Sequence, residues 1–410
     1  LQALAGMEAL YLSATDNADV EDFFLDLDLD SDAAETSEES ANDEDTRFLL
    51  ADVSWLSIMQ NLQKLDVSDQ TNLYSLDAIA ACHQLQTLQA SNTSVEQLNA
   101  LSNLQRLREL HLNNTPLQSL RLAQSPDLHI LSLSGCASLS ELHIAAPLVL
   151  QELNIEGCEA LTAVHFGVAP SELRTLNAMD SALASLPALA QCPQLEELYI
   201  SNCREIADLR GLNMNSLRVL QAQAVAVADW SLLAKGNNLR TLDLSFCPIG
   251  SAQHIYAHRG LEVLWLEDCG LPTLDLTKLP ALTTLNCIGN QLTSLDLSAC
   301  TQLAEFSCSR NALTELRGLA NCTQLRNLDC DVNQLQELDG AAALPHLESI
   351  NCSMNALTRL PAFAASVPLN SLRLTNNNVA DLRPLAALQS LTELVCSANP
   401  LQSLQGAPLV

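Results

Sequence analysis

The chain has 410 residues, of which 48 are acidic and 19 basic, and its formal net charge is −29 at pH 7. This charge argues against nucleic acid and anionic membranes as partners, because both require a positive protein face. No apolar run reaches the length of a membrane span, and no signal-peptide pattern opens the sequence. Aromatic residues make up only 3% of the chain, so the core must be mainly aliphatic.

The region 1–61 is predicted to contain irregular repeats. Two strand-like segments with apolar residues at alternate positions come first (Met7, Leu10 and Leu12, then Phe24, Leu27 and Leu29). Residues from about 30 to 47 are interpreted as an insertion in the second of these repeats. The pattern resumes at Leu50 with LADVSWL, which is similar to VADWSLL around Asp229.

The insertion lies in a strongly acidic stretch. Fourteen Asp or Glu residues and no Lys or Arg occur between Asp16 and Asp45. The simpler interpretation is a solvated, disordered loop. The alternative is an arm that docks on a basic partner or binds a cation such as calcium, although the acidic spacing is not that of an EF-hand loop. Outside this stretch the chain has 34 acidic and 19 basic residues, so it is still acidic.

From Leu62 onward one pattern recurs, L-x-x-L-x-(L/C)-x-x-N-x-L-x-x-L in its clearest form. Sixteen repeats follow one another at a nearly constant spacing, and their first residues are Leu62, Leu85, Leu107, Leu128, Leu150, Leu173, Leu195, Leu217, Leu239, Leu261, Leu282, Leu303, Leu325, Leu347, Leu369 and Leu391. We number positions from this first residue of each repeat. Positions 4 and 6 alternate with polar residues, as in a half-buried strand. A single repeat cannot bury its own leucines, but stacked repeats can, with parallel strands about 4.8 Å apart.

Asn occupies position 9 in the later repeats, where its amide can satisfy backbone groups that stacking buries. These residues are Asn290, Asn311, Asn333, Asn355, Asn377 and Asn399.

These repeats resemble the short type of leucine-rich repeat, as found in internalin-like and phosphatase-regulator-like proteins. Leu360-Pro361 is also similar to bacterial effector repeats. The resemblance covers Leu62 to Leu404. It implies an α/β-class, right-handed, horseshoe-shaped solenoid that binds proteins through a parallel, concave sheet, and it implies no catalysis. The tails are too short for long helices, so we expect 3₁₀ or extended convex segments. Residues 1–61 and 62–410 are predicted to form one continuous solenoid.

The fourteen cysteines fall into three columns of the repeat. Five occupy position 6, five occupy position 9, and four lie three residues before the next repeat. Buried thiols that fill small apolar sites explain this pattern better than disulfides or metal ligands. A column of cysteines would be hazardous in an oxidising compartment, so we expect an intracellular, reducing location, either the cytoplasm or a host cytosol.

The sequence contains no motif that predicts catalysis or a cofactor. The nearest candidate is His254-x-x-x-His258, which lacks a third metal ligand nearby in sequence. We therefore predict neither an enzyme nor a metal site.

Side chains at positions 3, 5 and 7 should point out from the concave sheet. The predicted partner-binding residues are mid-array aromatic, polar and acidic groups on this sheet and at its strand ends: Tyr199, Gln221, Asp243, Phe246, Trp265, Glu267 and Asp268. Exposed aromatic rings dominate many interfaces, and surrounding carboxylates would select a basic partner. The alternative is that the rings only cover the sheet. Farther along, Glu305, Asp329 and Asp331 continue the acidic strip, which Arg310 and Arg373 interrupt.

Three functions fit these observations. The first is non-catalytic recognition of a basic protein or peptide. The second is the targeting part of a larger enzyme, such as a bacterial effector. This alternative is motivated by a chain that begins at Leu1, ends at Val410 without an amphipathic cap, and so looks like a fragment. The third is an acidic inhibitor that covers a basic active site.

Overall fold

The computed structural model describes residues 7–12 and 50–405, except 124, 146–148, 169, 187–188, 190–191 and 343. The chain divides into two compact units between Asn213 and Met214. We call them unit 1 and unit 2, and each is a stack of repeats. The structure therefore confirms a leucine-rich-repeat type of solenoid within each unit.

Unit 1 is built around a parallel sheet with one short strand per repeat. The eight strands pair in the order β1 (Ala9–Tyr11), β2 (Lys64–Asp66), β3 (Thr87–Gln89), β4 (Glu109–His111), β6 (Ile130–Ser132), β8 (Glu152–Asn154), β10 (Thr175–Asn177) and β11 (Glu197–Tyr199). A second parallel sheet contains β5 (Ser119–Leu122), β7 (Glu141–Ile144) and β9 (Val164–Phe166).

Unit 2 repeats this design with nine strands. They pair in the order β12 (Val219–Gln221), β13 (Thr241–Asp243), β14 (Val263–Trp265), β15 (Thr284–Asn286), β17 (Glu305–Ser307), β19 (Asn327–Asp329), β20 (Ser349–Asn351), β21 (Ser371–Arg373) and β22 (Glu393–Val395). A second sheet contains β16 (Leu295–Asp296) and β18 (Leu316–Arg317). From β2 onward, each strand of the two main sheets occupies positions 3–5 of its repeat, as the alternation predicted.

The repeat tails contain short 3₁₀ helices of three to five residues, as expected from their length. In unit 1 these are Ser54–Ile58, Asp77–Ala81 and Asn99–Asn103. In unit 2 they are Ser231–Lys235, Ile255–Ala257, Leu276–Lys278, Leu319–Asn321, Asp339–Ala341 and Arg383–Leu385. The described part of the chain contains no α-helix, and therefore no helix of the length and apolarity that crossing a bilayer requires.

The core of each unit is a stack of aliphatic side chains from positions 1, 4 and 6. Leu261, Leu264 and Leu266 of one repeat, for example, are all fully buried. The cysteines occupy the predicted columns: thirteen of the fourteen are buried, and all are unpaired. Burial raises the pKa of Cys158 to about 12 and that of Cys82 to about 11, so these thiols are protonated at neutral pH.

Asparagine at position 9 forms the ladder that the sequence predicted. The Asn311 amide donates to the carbonyl oxygens of Cys287 in the preceding repeat and Cys308 in its own, at 2.9 and 3.0 Å. Its oxygen accepts from the Leu292 backbone N–H at 3.0 Å. The same three contacts recur at five further positions: Asn290, Asn333, Asn355, Asn377 and Asn399.

Cysteine at position 9 supplies part of the same contact set. The Cys269 thiol donates to the Leu244 carbonyl at 3.1 Å, and Cys136 donates to Leu112 at the same distance. These are the position 6 carbonyls of the preceding repeats, which asparagine reaches elsewhere. This shared contact explains why cysteine can stand in earlier repeats at the position that asparagine holds in later ones.

The first repeat differs from the sequence-based assignment. The strand predicted around Phe24, Leu27 and Leu29 lies outside the described residues. However, β1 pairs directly with β2, with Leu10 opposite Leu65, so the repeat that begins at Met7 is followed in the sheet by the one that begins at Leu62. The insertion therefore belongs to this first repeat and not to a separate second one.

Gln70 locates the point of insertion. This buried side chain at position 9 donates to the Leu12 carbonyl at 2.7 Å and accepts from the Leu50 backbone N–H at 2.6 Å. Asparagine elsewhere bridges positions 6 and 11 of the preceding repeat in the same way, so Leu12 and Leu50 occupy those two positions. A single tight turn joins these positions in a regular repeat, whereas here the whole acidic stretch lies between them. The insertion thus follows the strand end directly.

Candidate sheet-face site

The outward side chains of unit 2 form an acidic surface. We define its sheet face as positions 3, 5, 7 and 8 of the repeats that contain β12 to β22. These positions hold seven acidic and two basic residues. Both basic residues pair with acids of the same face: Arg373 lies 2.7 Å from Glu393, and Arg310 lies 3.9 Å from Asp268. The remaining carboxylates give this face a negative field.

The structure brings together three of the predicted binding residues in unit 2. Strand register places Gln221 opposite Asp243, and Asp243 opposite Trp265. All three are half-buried. One Asp243 oxygen accepts from the Ser245 backbone N–H at 2.9 Å, which fixes the carboxylate beside the indole. An aromatic ring thus lies next to a carboxylate on the sheet face, with an amide on the far side of that carboxylate.

Tyr199 belongs to unit 1, where it is opposite Asn177. Its hydroxyl donates to a Glu197 carboxylate oxygen at 3.1 Å. Burial raises the pKa of Tyr199, and the neighbouring Glu197 charge raises it further. The tyrosine is therefore a neutral donor whose hydrogen bond is already used within the same strand.

The other three predicted residues follow the ends of β13 and β14. The Phe246 backbone N–H donates to the Glu267 carbonyl at 2.6 Å, which holds the two strand ends together. Phe246 is 44% exposed, whereas Glu267 and Asp268 are half-buried. Asp268 leans over Gly289, where an added Cβ would lie 2.1 Å from its carboxylate oxygen. Glycine in the intervening repeat lets Arg310 approach Asp268 from two repeats farther along the chain.

Position 8 is left-handed in all sixteen of the regular repeats, with φ between 49° and 74°. In unit 1 every residue in this column is Asn, Asp or Gly, which are the types that tolerate this conformation. Their side chains also bond along the column: Asn114 donates to Asn92 at 2.8 Å, and Asn92 donates to Asp69 at 2.7 Å. Unit 1 therefore satisfies the geometry with suitable residues.

Unit 2 breaks this rule with large apolar residues. Phe246, Val332 and Met354 are left-handed, with φ of 61°, 49° and 54°. They are also 44%, 36% and 51% exposed. Each carries about 1 kcal/mol of backbone strain without burying its side chain in the core. Val332 and Met354 were not among the predicted binding residues. Comparison along position 8 identifies them, because they are apolar where unit 1 has Asn, Asp or Gly.

An open hollow of about 400 Å³ lies on the sheet face between β17 and β22. Space opens here because small residues (Ser307, Ser349 and Ser371) occupy outward positions on three of these strands. Its walls include Asn327, Asp329, Asn351, Arg373 and Glu393. The sequence pattern pointed to Asp329 and Arg373 but not to Glu393 or the hollow, because small side chains leave no signal in a pattern of apolar residues.

The candidate metal ligands do not converge. The buried His258 ring directs Nε2 to the Leu233 carbonyl at 2.9 Å, whereas His254 Nε2 contacts the Gln253 amide at 3.1 Å. Among the described residues, no group of three or more His, Cys, Asp or Glu side chains is arranged to hold a metal ion.

Neither a scan against protein-family models nor a sequence search of curated proteins finds a match. Solved structures do match. The functional domain of InlJ from Listeria monocytogenes, which includes a cysteine ladder, has a TM-score of 0.58 and 20% identity, covering 75% of this chain and 73% of that one. The leucine-rich-repeat protein LIC12759 of Leptospira interrogans has a TM-score of 0.51 and 19% identity, covering 88% and 96%. These similarities establish the leucine-rich-repeat fold.

Proposed function

We propose that this chain is a non-catalytic recognition protein whose unit 2 sheet face binds a basic protein or peptide. One observation carries the proposal: Phe246 keeps a large apolar ring in a left-handed backbone and in solvent, beside Glu267 and Asp268. Backbone strain that packing does not explain is concentrated at functional sites in proteins. A partner that buries the Phe246 ring would gain hydrophobic free energy, which would offset the backbone strain.

The surrounding charges support a basic partner. The sheet face carries seven carboxylates, and its two arginines are each paired with one of them. The net negative charge would attract Lys or Arg side chains and repel a second copy of this chain. Acidic surfaces also accelerate encounter with basic proteins, and this acceleration weakens as salt increases. Binding should therefore lose affinity at high ionic strength mainly through a slower association rate.

Trp265→Ala tests the site. The indole lies beside Asp243 on the sheet face, and its loss should weaken partner binding by about 2 kcal/mol while leaving the fold intact. The partner is first captured from a native lysate with the wild-type chain, and its affinity is then measured for the wild type, Trp265→Ala and Tyr199→Ala. Gln336→Ala, which truncates an exposed side chain at position 12, outside the sheet face, is the matched control. Equal affinities for Trp265→Ala and wild type would overturn this site.

We also propose a reducing compartment, such as the cytoplasm or a host cytosol. The fourteen unpaired thiols support this location. Protein isolated from its native source and unfolded in the presence of an alkylating reagent should yield all fourteen cysteines as alkylated thiols. Recovery of stable disulfides from freshly isolated protein would contradict this proposal.

A further inference from the structure

Two carboxylates at the hollow between β17 and β22 have no cationic partner among the described residues. Asp329 lines the hollow, and Glu305 lies at its edge on β17. Both oxygens of Glu305 accept from the Asn327 amide, each at 2.9 Å. One Asp329 oxygen accepts from Ser309 at 2.9 Å and from Asn351 at 3.0 Å. All these donors are neutral, so the protein holds both carboxylates in place without neutralising their charges by an ion pair.

A third acid at the hollow shows the contrast. Glu393 accepts from Arg373 at 2.7 Å and from Ser371 at 2.6 Å, so its charge is matched by a guanidinium. The hydrogen bonds from Ser371 and Arg373 lower the pKa of Glu393. The same hollow thus has one carboxylate already bound to an arginine of this chain and two others that are not.

Strand register sets the spacing of the two uncompensated carboxylates. Glu305 is opposite Asn327 on the neighbouring strand, and Asp329 lies two residues farther along that strand. Their Cα atoms are therefore diagonal neighbours, roughly 8 Å apart. A planar guanidinium carries five N–H donors in a fork that can contact two carboxylates at once, whereas an ammonium is a compact point charge.

Apolar groups lie next to this pair. Val332 and Met354, at position 8 of neighbouring repeats, follow the strands β19 and β20. The Val332 backbone N–H donates to the Ser353 carbonyl at 3.0 Å, which holds the two strand ends together. Both apolar residues are exposed and left-handed. The strand ends beside the hollow thus offer two exposed apolar side chains on a strained backbone. An apolar residue of a bound segment would cover them.

We infer that this hollow binds an extended peptide segment through an arginine, with Glu305 and Asp329 holding the guanidinium and Val332 and Met354 covering an adjacent apolar residue. The inference rests on the proposed function, since it states what part of the partner reaches the sheet face. It is carried by other residues than the Phe246 and Trp265 patch. A second copy of the chain is a poor occupant because the face is acidic and the chain carries a net charge of −29.

Two pools of short fluorescent peptides test the inference. Both have random Ala, Ser, Thr and Leu around one central residue, which is arginine in the first pool and citrulline, its neutral analogue, in the second. Fluorescence anisotropy should show about tenfold tighter binding of the arginine pool to the full chain, because charge-assisted hydrogen bonds are lost with citrulline. Glu305→Gln and Asp329→Asn, which keep the side-chain shape and remove one negative charge each, should each remove most of this preference.

Matched variants separate the outcomes. Glu315→Gln removes one charge from beside the second sheet of unit 2, where Glu315 pairs with Arg317, and should keep the arginine preference. Val332→Asn with Met354→Asn should weaken both pools alike. Equal binding of the two pools, or a preference that Glu315→Gln lowers as much as Asp329→Asn does, would overturn the inference. If the two pools bind equally and the peptide-free chain binds Ca²⁺ in a way that Asp329→Asn abolishes, the carboxylates form a cation site and the inference is wrong. Partner capture that depends on Trp265 would survive these failures.

Discussion

At the scale of single residues, position 9 determines how the repeats hold together. Asn311, for example, makes four hydrogen bonds to backbone groups, two in the preceding repeat and two in its own, whereas Cys269 makes two. A buried backbone carbonyl or N–H without a partner costs free energy comparable to a lost hydrogen bond. The column therefore stabilises both the contact between neighbouring repeats and the turn of each repeat.

Asn311→Ala should lower the free energy of unfolding by about 2–3 kcal/mol, because it leaves three carbonyls and one N–H without this partner. The urea unfolding midpoint measures the effect. Asn378→Ala, at an exposed side chain in a neighbouring column, is the control and should change the midpoint little. Similar midpoints for the two variants would show that the ladder does not contribute as described.

His258 should make stability depend on pH. Burial lowers the pKa of His258, and the bond to the Leu233 carbonyl only partly opposes this effect. The unfolded chain, with a histidine pKa of about 6.5, thus binds a proton at a higher pH than the folded chain does. The contribution of His258 to stability is fully present above the unfolded pKa. It falls by up to about 1.4 kcal/mol for each pH unit below that value, until the folded pKa is reached.

Thermal unfolding between neutral and mildly acidic pH measures this dependence. His258→Gln keeps a neutral donor toward the Leu233 carbonyl and should flatten the decline relative to the wild type. His254→Asn, which changes the neighbouring half-buried histidine, should leave the decline unchanged. If the stability of His258→Gln falls with pH as steeply as that of the wild type, groups other than His258 cause the pH dependence.

At the scale of elements, the turn of the first repeat can accept an insertion because Gln70 holds both ends of that turn by hydrogen bonds. Leu12 and Leu50 contact the same Gln70 side chain, so the first repeat closes as a regular repeat does. Long insertions at such a surface point cost little, because the loop-closure free energy grows slowly with length. We therefore expect a much shorter connection between Leu12 and Leu50 to preserve the first repeat.

Replacement of residues 13–49 by Ser-Asn-Thr-Ser, the turn that stands at Ser91–Ser94, should leave the thermal midpoint within a few degrees of the wild type. Gln70→Leu should destabilise the shortened and the full chain equally, because the bridge is present in both. Unfolding of the shortened chain, or a Gln70→Leu effect confined to the full chain, would contradict the assignment of Leu12 and Leu50 to one repeat.

At the scale of the whole molecule, the sequence predicted the periodic features and missed those imposed by stacking. The alternation of leucines predicted the strands at positions 3–5, such as Glu197–Tyr199 and Thr284–Asn286, because only stacked strands bury every leucine. The position 9 contacts were also predicted. The left-handed column was not, since Val332 and Met354 have no local preference for that conformation and neighbouring repeats impose it.

The candidate sheet-face site, which stays a prediction, is visible only in part in the sequence. Phe246 and Trp265 are large residues in outward columns, so the sequence shows them directly. The hollow between β17 and β22 depends on what is missing at Ser307, Ser349 and Ser371, and only the register of adjacent strands brings those serines together. The first repeat was misassigned because alternating apolar residues in the acidic stretch suggested a second repeat, whereas β1 pairs directly with β2.

Phe246→Asn tests the central claim that unit 2 carries strain on its sheet face in order to bind a partner. Asparagine suits the left-handed backbone, as Asn92 and Asn202 do in the same column, so the variant should be more stable than the wild type by about 1 kcal/mol. The same variant should bind the captured partner about tenfold more weakly. Ala224→Asn, in the same column, should gain stability without losing affinity. A Phe246→Asn chain that is more stable and binds its partner as tightly as the wild type would contradict the claim.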